Sequence, residues 1–99
     1  SRKYFILKII SKEEVYASTL LSELTSAKII VVEGTLYPLL TRLKNAGFLD
    51  YRWVESVSGP PRKYYLLTDK GQEFLAEMST TWEELQTSVN QISNASPKA

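Results

Sequence analysis

The sequence predicts a mostly helical α+β chain of three helices, a β-hairpin and a long final helix. Three observations carry this reading. Leu36, Leu39, Leu40 and Leu43 form one apolar stripe at helical spacing. Two partly alternating runs, 48–56 and 62–68, flank Ser58-Gly59-Pro60-Pro61 as strands flank a turn. Leu75, Met78, Trp82, Leu85, Val89 and Ile92 then recur at spacings of 3, 4, 3, 4 and 3, a heptad seam.

Taken in order, Tyr4, Phe5, Ile6, Leu7, Ile9 and Ile10 are dense enough for a first helix buried on more than one side. Ser11-Lys12-Glu13-Glu14 reads as a polar connector, with a capping box from Ser11 to Glu14 as the alternative. Ala17, Leu20, Leu21 and Leu24 predict a second helix over 16–25. Ile29 to Val32 is a β-branched run that packs without needing to be helical. Asn45-Ala46-Gly47 stops the third helix, and Thr68-Asp69 supplies the N-cap of the last, which runs to about Ile92. Tyr65 and Trp53 are expected in the hairpin core. This order is that of a winged helix-turn-helix domain followed by a long C-terminal dimerisation helix. The expected division is 1–71 for the DNA-binding domain, 72–93 for the dimerisation helix and 94–99 for a disordered tail.

Composition narrows the function. Ninety-nine residues with 43% apolar content suit one small domain that gains stability from a partner. No apolar run is long enough for a membrane span. The basic start, Arg2-Lys3, precedes a stretch broken by Lys8 and lacks a small-residue cleavage site, so no signal peptide is read. The chain has no cysteine, which fits a cytoplasmic protein, and no histidine, which removes the commonest general base and metal ligand. The acids are scattered, so neither an enzyme nor a metal or cofactor site is expected. Charge is segregated: residues 34–71 carry six basic groups against three acidic, and residues 72–99 one against four. A basic middle suits a polyanion, and an acidic tail suits some other task.

At about 100° per residue, the third helix presents Gly34, Pro38, Thr41 and Asn45 opposite its leucines, flanked by Tyr37, Arg42 and Lys44. Small residues, hydroxyls and marginal cations are what a groove-facing surface uses. Gly34-Thr35-Leu36-Tyr37-Pro38-Leu39-Leu40-Thr41-Arg42-Leu43, then Gly47-Phe48-Leu49 and Trp53, then Gly59-Pro60-Pro61-Arg62-Lys63-Tyr64-Tyr65-Leu66-Leu67-Thr68 and Gly71, resembles the signature of the PadR family of transcriptional regulators. The resemblance covers roughly residues 4–92. It implies a winged-helix domain whose third helix enters the major groove of double-stranded DNA, with Thr35, Tyr37 and Pro38 at the DNA and Arg62 and Lys63 on the wing. Thr41 and Arg42 complete the expected DNA-binding set.

Two positions depart from the family pattern. Val32-Glu33 stands where Ser-Pro is common, and Val15-Tyr16-Ala17-Ser18 stands where a Tyr-Gly-Tyr-Glu type of sequence opens the second helix. Leu75, Met78, Trp82, Leu85, Val89 and Ile92 are the expected dimer interface. The function read from this is a homodimeric regulator, a repressor, on a pseudo-palindromic operator. Trp82 is further expected to border a slot for a planar aromatic ligand that releases the operator. A winged-helix assembly module without DNA binding is the alternative, favoured by the near-neutral charge and by Glu33.

Overall fold

The leucine stripe of the third helix sets the architecture, because each fully buried aliphatic side chain contributes about 1.5–3 kcal/mol and four of them point the same way. In the computed structural model, which describes residues 1–97, these leucines meet Ile6, Leu7 and Ile10 of α1 (Arg2–Lys12) and Leu20 and Leu24 of α2 (Ala17–Ser26). The third helix, α3, spans Glu33–Asn45. A sheet of β1 (Val15–Tyr16), β2 (Leu49–Ser56) and β3 (Gly59–Leu67) closes the core with Val15, Leu49 and Tyr65. Strand order is β1-β3-β2, antiparallel throughout. This is the winged-helix arrangement, and α4 (Asp69–Ser93) extends it to a length of 68 Å.

Both helices of the helix-turn-helix end on the same C-terminal motif. Gly47, at φ +87°, donates to the Lys44 carbonyl while Phe48 donates to Leu43. Lys28, at φ +62°, does the same at the end of α2, with Lys28 donating to Thr25 and Ile29 to Leu24. Gly47 adopts the left-handed conformation freely, whereas Lys28 adopts it against the steric preference of a side chain. Pro38 is the sixth residue of α3, past the first turn. It has no N–H, so the helical bond to the Gly34 carbonyl cannot form.

The root of α4 is bolted to the end of α3. Thr68 caps α4 by accepting from the Gly71 N–H at 3.0 Å and donates its hydroxyl to the Gly47 carbonyl at 2.6 Å. Lys70 donates to the Ala46 carbonyl at 2.8 Å, and Phe48 stacks on Phe74 at 4.3 Å and 8°. Gly71 is buried there, and a Cβ on it would lie 2.1 Å from the Phe48 carbonyl oxygen.

Several sequence expectations change. Val15–Tyr16 is a strand pairing with Tyr65 and Tyr64, so α2 begins one residue later than its apolar period suggested. Ser11 and Lys12 belong to α1 rather than to a connector, and the Ser11 hydroxyl donates to the Lys8 carbonyl. Gly59 to Pro61 are already in β3, and the turn is Val57-Ser58. An irregularity in pairing between Val54 and Ser56 shifts the register and moves the tip. Trp53 is not core: it is 61% exposed, because α3 does not reach that far along the wing. Leu75 is buried in its own domain, and Met78 packs on the same core. The last helix starts at Asp69, and of the expected tail Asn94 to Pro97 follow it without regular structure, while Lys98 and Ala99 lie outside the described residues.

Candidate nucleic-acid interface

Because its leucines face inward, α3 turns Gly34, Tyr37, Pro38, Thr41, Arg42 and Asn45 to solvent, as its spacing predicts. Thr35 is half-buried at the edge of this strip. The Thr41 hydroxyl donates to the Tyr37 carbonyl at 3.1 Å, so its proton is held within the helix and its lone pairs face outward. Glu33 lies at the first position of α3, preceded by Val32, whose side chain has no capping atom. The acid therefore faces the positive end of the helix without a polar cap beside it.

The wing stands beside this strip. Pairing places Leu49, Tyr51 and Trp53 of β2 opposite Leu67, Tyr65 and Lys63 of β3, all on the face that meets the helices. Lys63 holds its ammonium 4.5 Å from the Tyr51 ring centre and 5.6 Å from that of Trp53. Lys44, from α3, approaches the same Tyr51 ring at 5.4 Å. One aromatic ring thus gathers a cation from the third helix and a cation from the wing, which sequence reading left unconnected. Arg52 and Arg62 share the outer face, with Arg52 paired to Glu14 at 2.8 Å.

Between the wing and the two helices runs an open groove of about 310 Å³, bordered by Tyr16, Ser18, Tyr37, Trp53, Arg62 and Lys63. Tyr65 forms its floor. Burial, with the Tyr37 and Tyr51 phenols nearby, pushes the Tyr65 hydroxyl above its ordinary pKa. A second open groove continues past Tyr37 between α2 and α3, lined by Ser18, Ser22, Thr25, Ser26 and Glu33. Of the expected contacts, Tyr37, Arg62 and Lys63 border this one groove, with Arg62 reaching toward α2 instead of outward, whereas Thr35, Pro38 and Thr41 belong to the strip of α3 and Arg42 borders a separate hollow beside Lys3, Ala46 and Phe48. Trp53 joins them as an exposed ring that its alternation had assigned to the core.

The seam residues lie elsewhere. Beyond Trp82, α4 leaves the domain, and Trp82, Leu85, Val89 and Ile92 are 40%, 54%, 52% and 78% exposed. Tyr4 of α1 meets Trp82 at 5.8 Å between ring centres and receives a 3.4 Å hydrogen bond from Ser79. No helix among the described residues is long and apolar enough to cross a membrane.

Comparison with known proteins agrees with this geometry. Residues 6–77 match the model of the transcriptional regulator PadR-like family. A PadR-like transcription factor of Bacteroides fragilis, solved by X-ray, is 57% identical over 91% of this chain and 87% of its own, with a TM-score of 0.81. A PadR-like transcriptional regulator of Bacillus cereus is 39% identical over 95% of this chain and 92% of its own, with a TM-score of 0.84. An uncharacterised protein of Lysinibacillus sphaericus is 26% identical over 88 residues, 86% of this chain and 81% of its own. Fold, exposed third helix and sequence agree: the chain belongs to the PadR-like family of transcriptional regulators, proteins of DNA-binding regulation rather than enzymes.

Proposed function

We propose that this chain is a homodimeric, sequence-specific repressor of a pseudo-palindromic operator, with α3 in the major groove and the wing on the sugar-phosphate backbone. The observation that carries the reading is the solvent-facing strip of α3, Gly34, Tyr37, Pro38, Thr41 and Arg42, beside the cations that meet at Tyr51. Helix-turn-helix proteins read base edges from the start of this helix and hold phosphates from its flanks. Thr35, Tyr37, Pro38, Thr41 and Arg42 are the proposed groove contacts.

The dimer reading is supported by Trp82, Leu85, Val89 and Ile92, which keep heptad spacing as the helix passes its last contact with α1 and runs clear of its own domain. Leu75 and Met78 serve the domain core, so the proposed interface is the outer part of the seam. Gel shifts against DNA upstream of the protein's own gene, with light scattering of the free protein, test both parts. A defined shift with a dimeric mass supports the reading. A monomer at micromolar concentration removes the seam, and no shift with any duplex removes the DNA.

A second proposal concerns control. Trp82 packs one side against Tyr4, and the exposed remainder of its indole borders the proposed twofold seam. A planar aromatic ligand that enters there would alter the angle between the two domains and couple its binding to operator release. Planar cationic dyes and phenolic acids should quench tryptophan emission in the wild type and not in Trp82→Ala. Quenching that persists in Trp82→Ala, which retains Trp53, removes the slot.

A further inference from the structure

The two cations of the wing are adjacent in sequence but lie on opposite faces of β3, and their surroundings differ. The Arg62 guanidinium lies 3.8 Å from the centre of the Tyr16 ring, and its Nη2 donates to Ser18 Oγ at 2.5 Å. Tyr16 meets Tyr64 edge-on at 4.6 Å, and Arg52 lies 4.9 Å from the Tyr64 ring. Arg52 in turn donates through Nε and Nη2 to Glu14 Oε2 at 3.1 and 2.8 Å. Glu14, Arg52, Tyr64, Tyr16, Arg62 and Ser18 thus form one continuous row, in which Arg52, Tyr64 and Arg62 come from the wing and Glu14, Tyr16 and Ser18 from the start of α2 and the segment before it.

This row lies where the backbone is weakest. β1 contributes only two residues, pairing through Val15 and Tyr16, so the main-chain ladder between α2 and the wing is minimal. Planar guanidinium groups stack on aromatic rings while donating in their own plane, a combination that lysine does not reproduce. Lys63 differs: among the described residues its ammonium has no hydrogen-bond acceptor and only the Tyr51 and Trp53 rings beside it, one of them exposed.

We propose that Arg62 is a positioning residue that latches the wing to the start of α2 and so sets its angle to α3, while Lys63 is the wing cation that meets phosphate. This rests on the DNA-binding reading above. The two roles differ in their salt dependence. Removing one phosphate-binding cation from each half of a dimer lowers the slope of log K against the logarithm of salt concentration by about two, whereas breaking a latch weakens binding at an unchanged slope.

The probe is the duplex that wild-type protein enriches from a random-sequence pool. Arg62→Gln should weaken its binding about fivefold with the wild-type slope, the loss expected when one stacked, partly solvated cation is removed. Arg62→Lys should fail to restore it, and Ser18→Ala should weaken binding in the same manner but less. Lys63→Gln should lower the slope. A reading free of DNA comes from denaturant unfolding of Arg62→Gln, Tyr16→Leu and the double variant. The double variant should unfold about fivefold less readily than the product of the two single effects requires. A slope lowered by Arg62→Gln as much as by Lys63→Gln, wild-type binding by Arg62→Lys, or additive effects in the unfolding cycle would overturn the proposal. Failure of the wild type to enrich any duplex would overturn the DNA reading instead, and the unfolding cycle would still decide whether the latch exists.

Discussion

Substituting Gly71 by alanine should disturb the whole lever formed by α3 and α4. The new Cβ would lie 2.1 Å from the Phe48 carbonyl oxygen and 2.8 Å from Leu67 Cδ1. An ordinary carbon–oxygen contact is about 3.3 Å, so roughly 1.2 Å of movement is required. The backbone at Phe48 is held by the end of α3, so the first turn of α4 must move. With Leu75 as the next anchor, about 6 Å along the axis at 1.5 Å per residue, that movement is a tilt of about 10°. Ser93 lies about 27 Å beyond the anchor, so the free end of α4 swings by about 5 Å. Overpacking against backbone should also destabilise the domain by about 3 kcal/mol, the upper end of the usual range. In a domain of this size that lowers the Tm by at least about 10 °C. Circular dichroism reads the melt. A series of selected operators with one base pair added or removed between half-sites reads the swing, because about 5 Å exceeds the roughly 3.4 Å rise of one base pair. A variant that melts within about 2 °C of wild type and keeps its preferred spacing would refute both the close approach and the lever.

The other perturbations are simpler. Leu85→Glu places a charge on each side of the proposed seam, costing several kcal/mol on burial, and should convert dimers to folded monomers by light scattering. Glu33→Gln removes an anion from the end of α3 proposed to face DNA and should tighten binding to every duplex about two- to fivefold, since an exposed charge pair contributes under about 1 kcal/mol. It should also lose about 0.5 kcal/mol of stability with the favourable helix-end charge; weaker binding in a gel shift would show that Glu33 instead accepts a hydrogen bond from a base. Lys28→Gly relieves a left-handed conformation and should raise stability by about 0.5–1 kcal/mol in denaturant melts, the steric relief less the added freedom of the unfolded chain. An unchanged midpoint would contradict that strain.

Much of the fold is legible where a physical period has one interpretation. Leu36, Leu39, Leu40 and Leu43 admit only a helix with one buried side, and Gly47 after Asn45-Ala46 admits only its end. The strand Val15–Tyr16 was not legible, because two residues show no alternation and Tyr16 abuts the period of α2. The wing misled for a related reason. Gly-Pro-Pro suggests a turn from local preference, but the irregular pairing at Val54 and Ser56 carries those residues into β3. Trp53 shows the limit of alternation: it assigns a face, and only the reach of α3 decides whether that face is covered. For the site, the exposed strip of α3 followed directly from helical geometry. The different surroundings of Arg62 and Lys63 did not, because they depend on Tyr16 and Ser18, more than forty residues away.

Pro38 has a consequence for how recognition by α3 should be mapped. The Gly34 carbonyl lacks its helical N–H donor, and the Pro38 ring stands against it in that donor's place. Water beside the ring is the natural donor to a main-chain oxygen left in this way. An acceptor of this kind belongs to the peptide and not to any side chain, so an alanine scan across the exposed residues of α3 passes over it unless the scan includes Pro38 itself. The loss of the N–H donor costs a helical hydrogen bond, so the segment proposed to meet DNA is less stable than its leucine-rich inner side would allow.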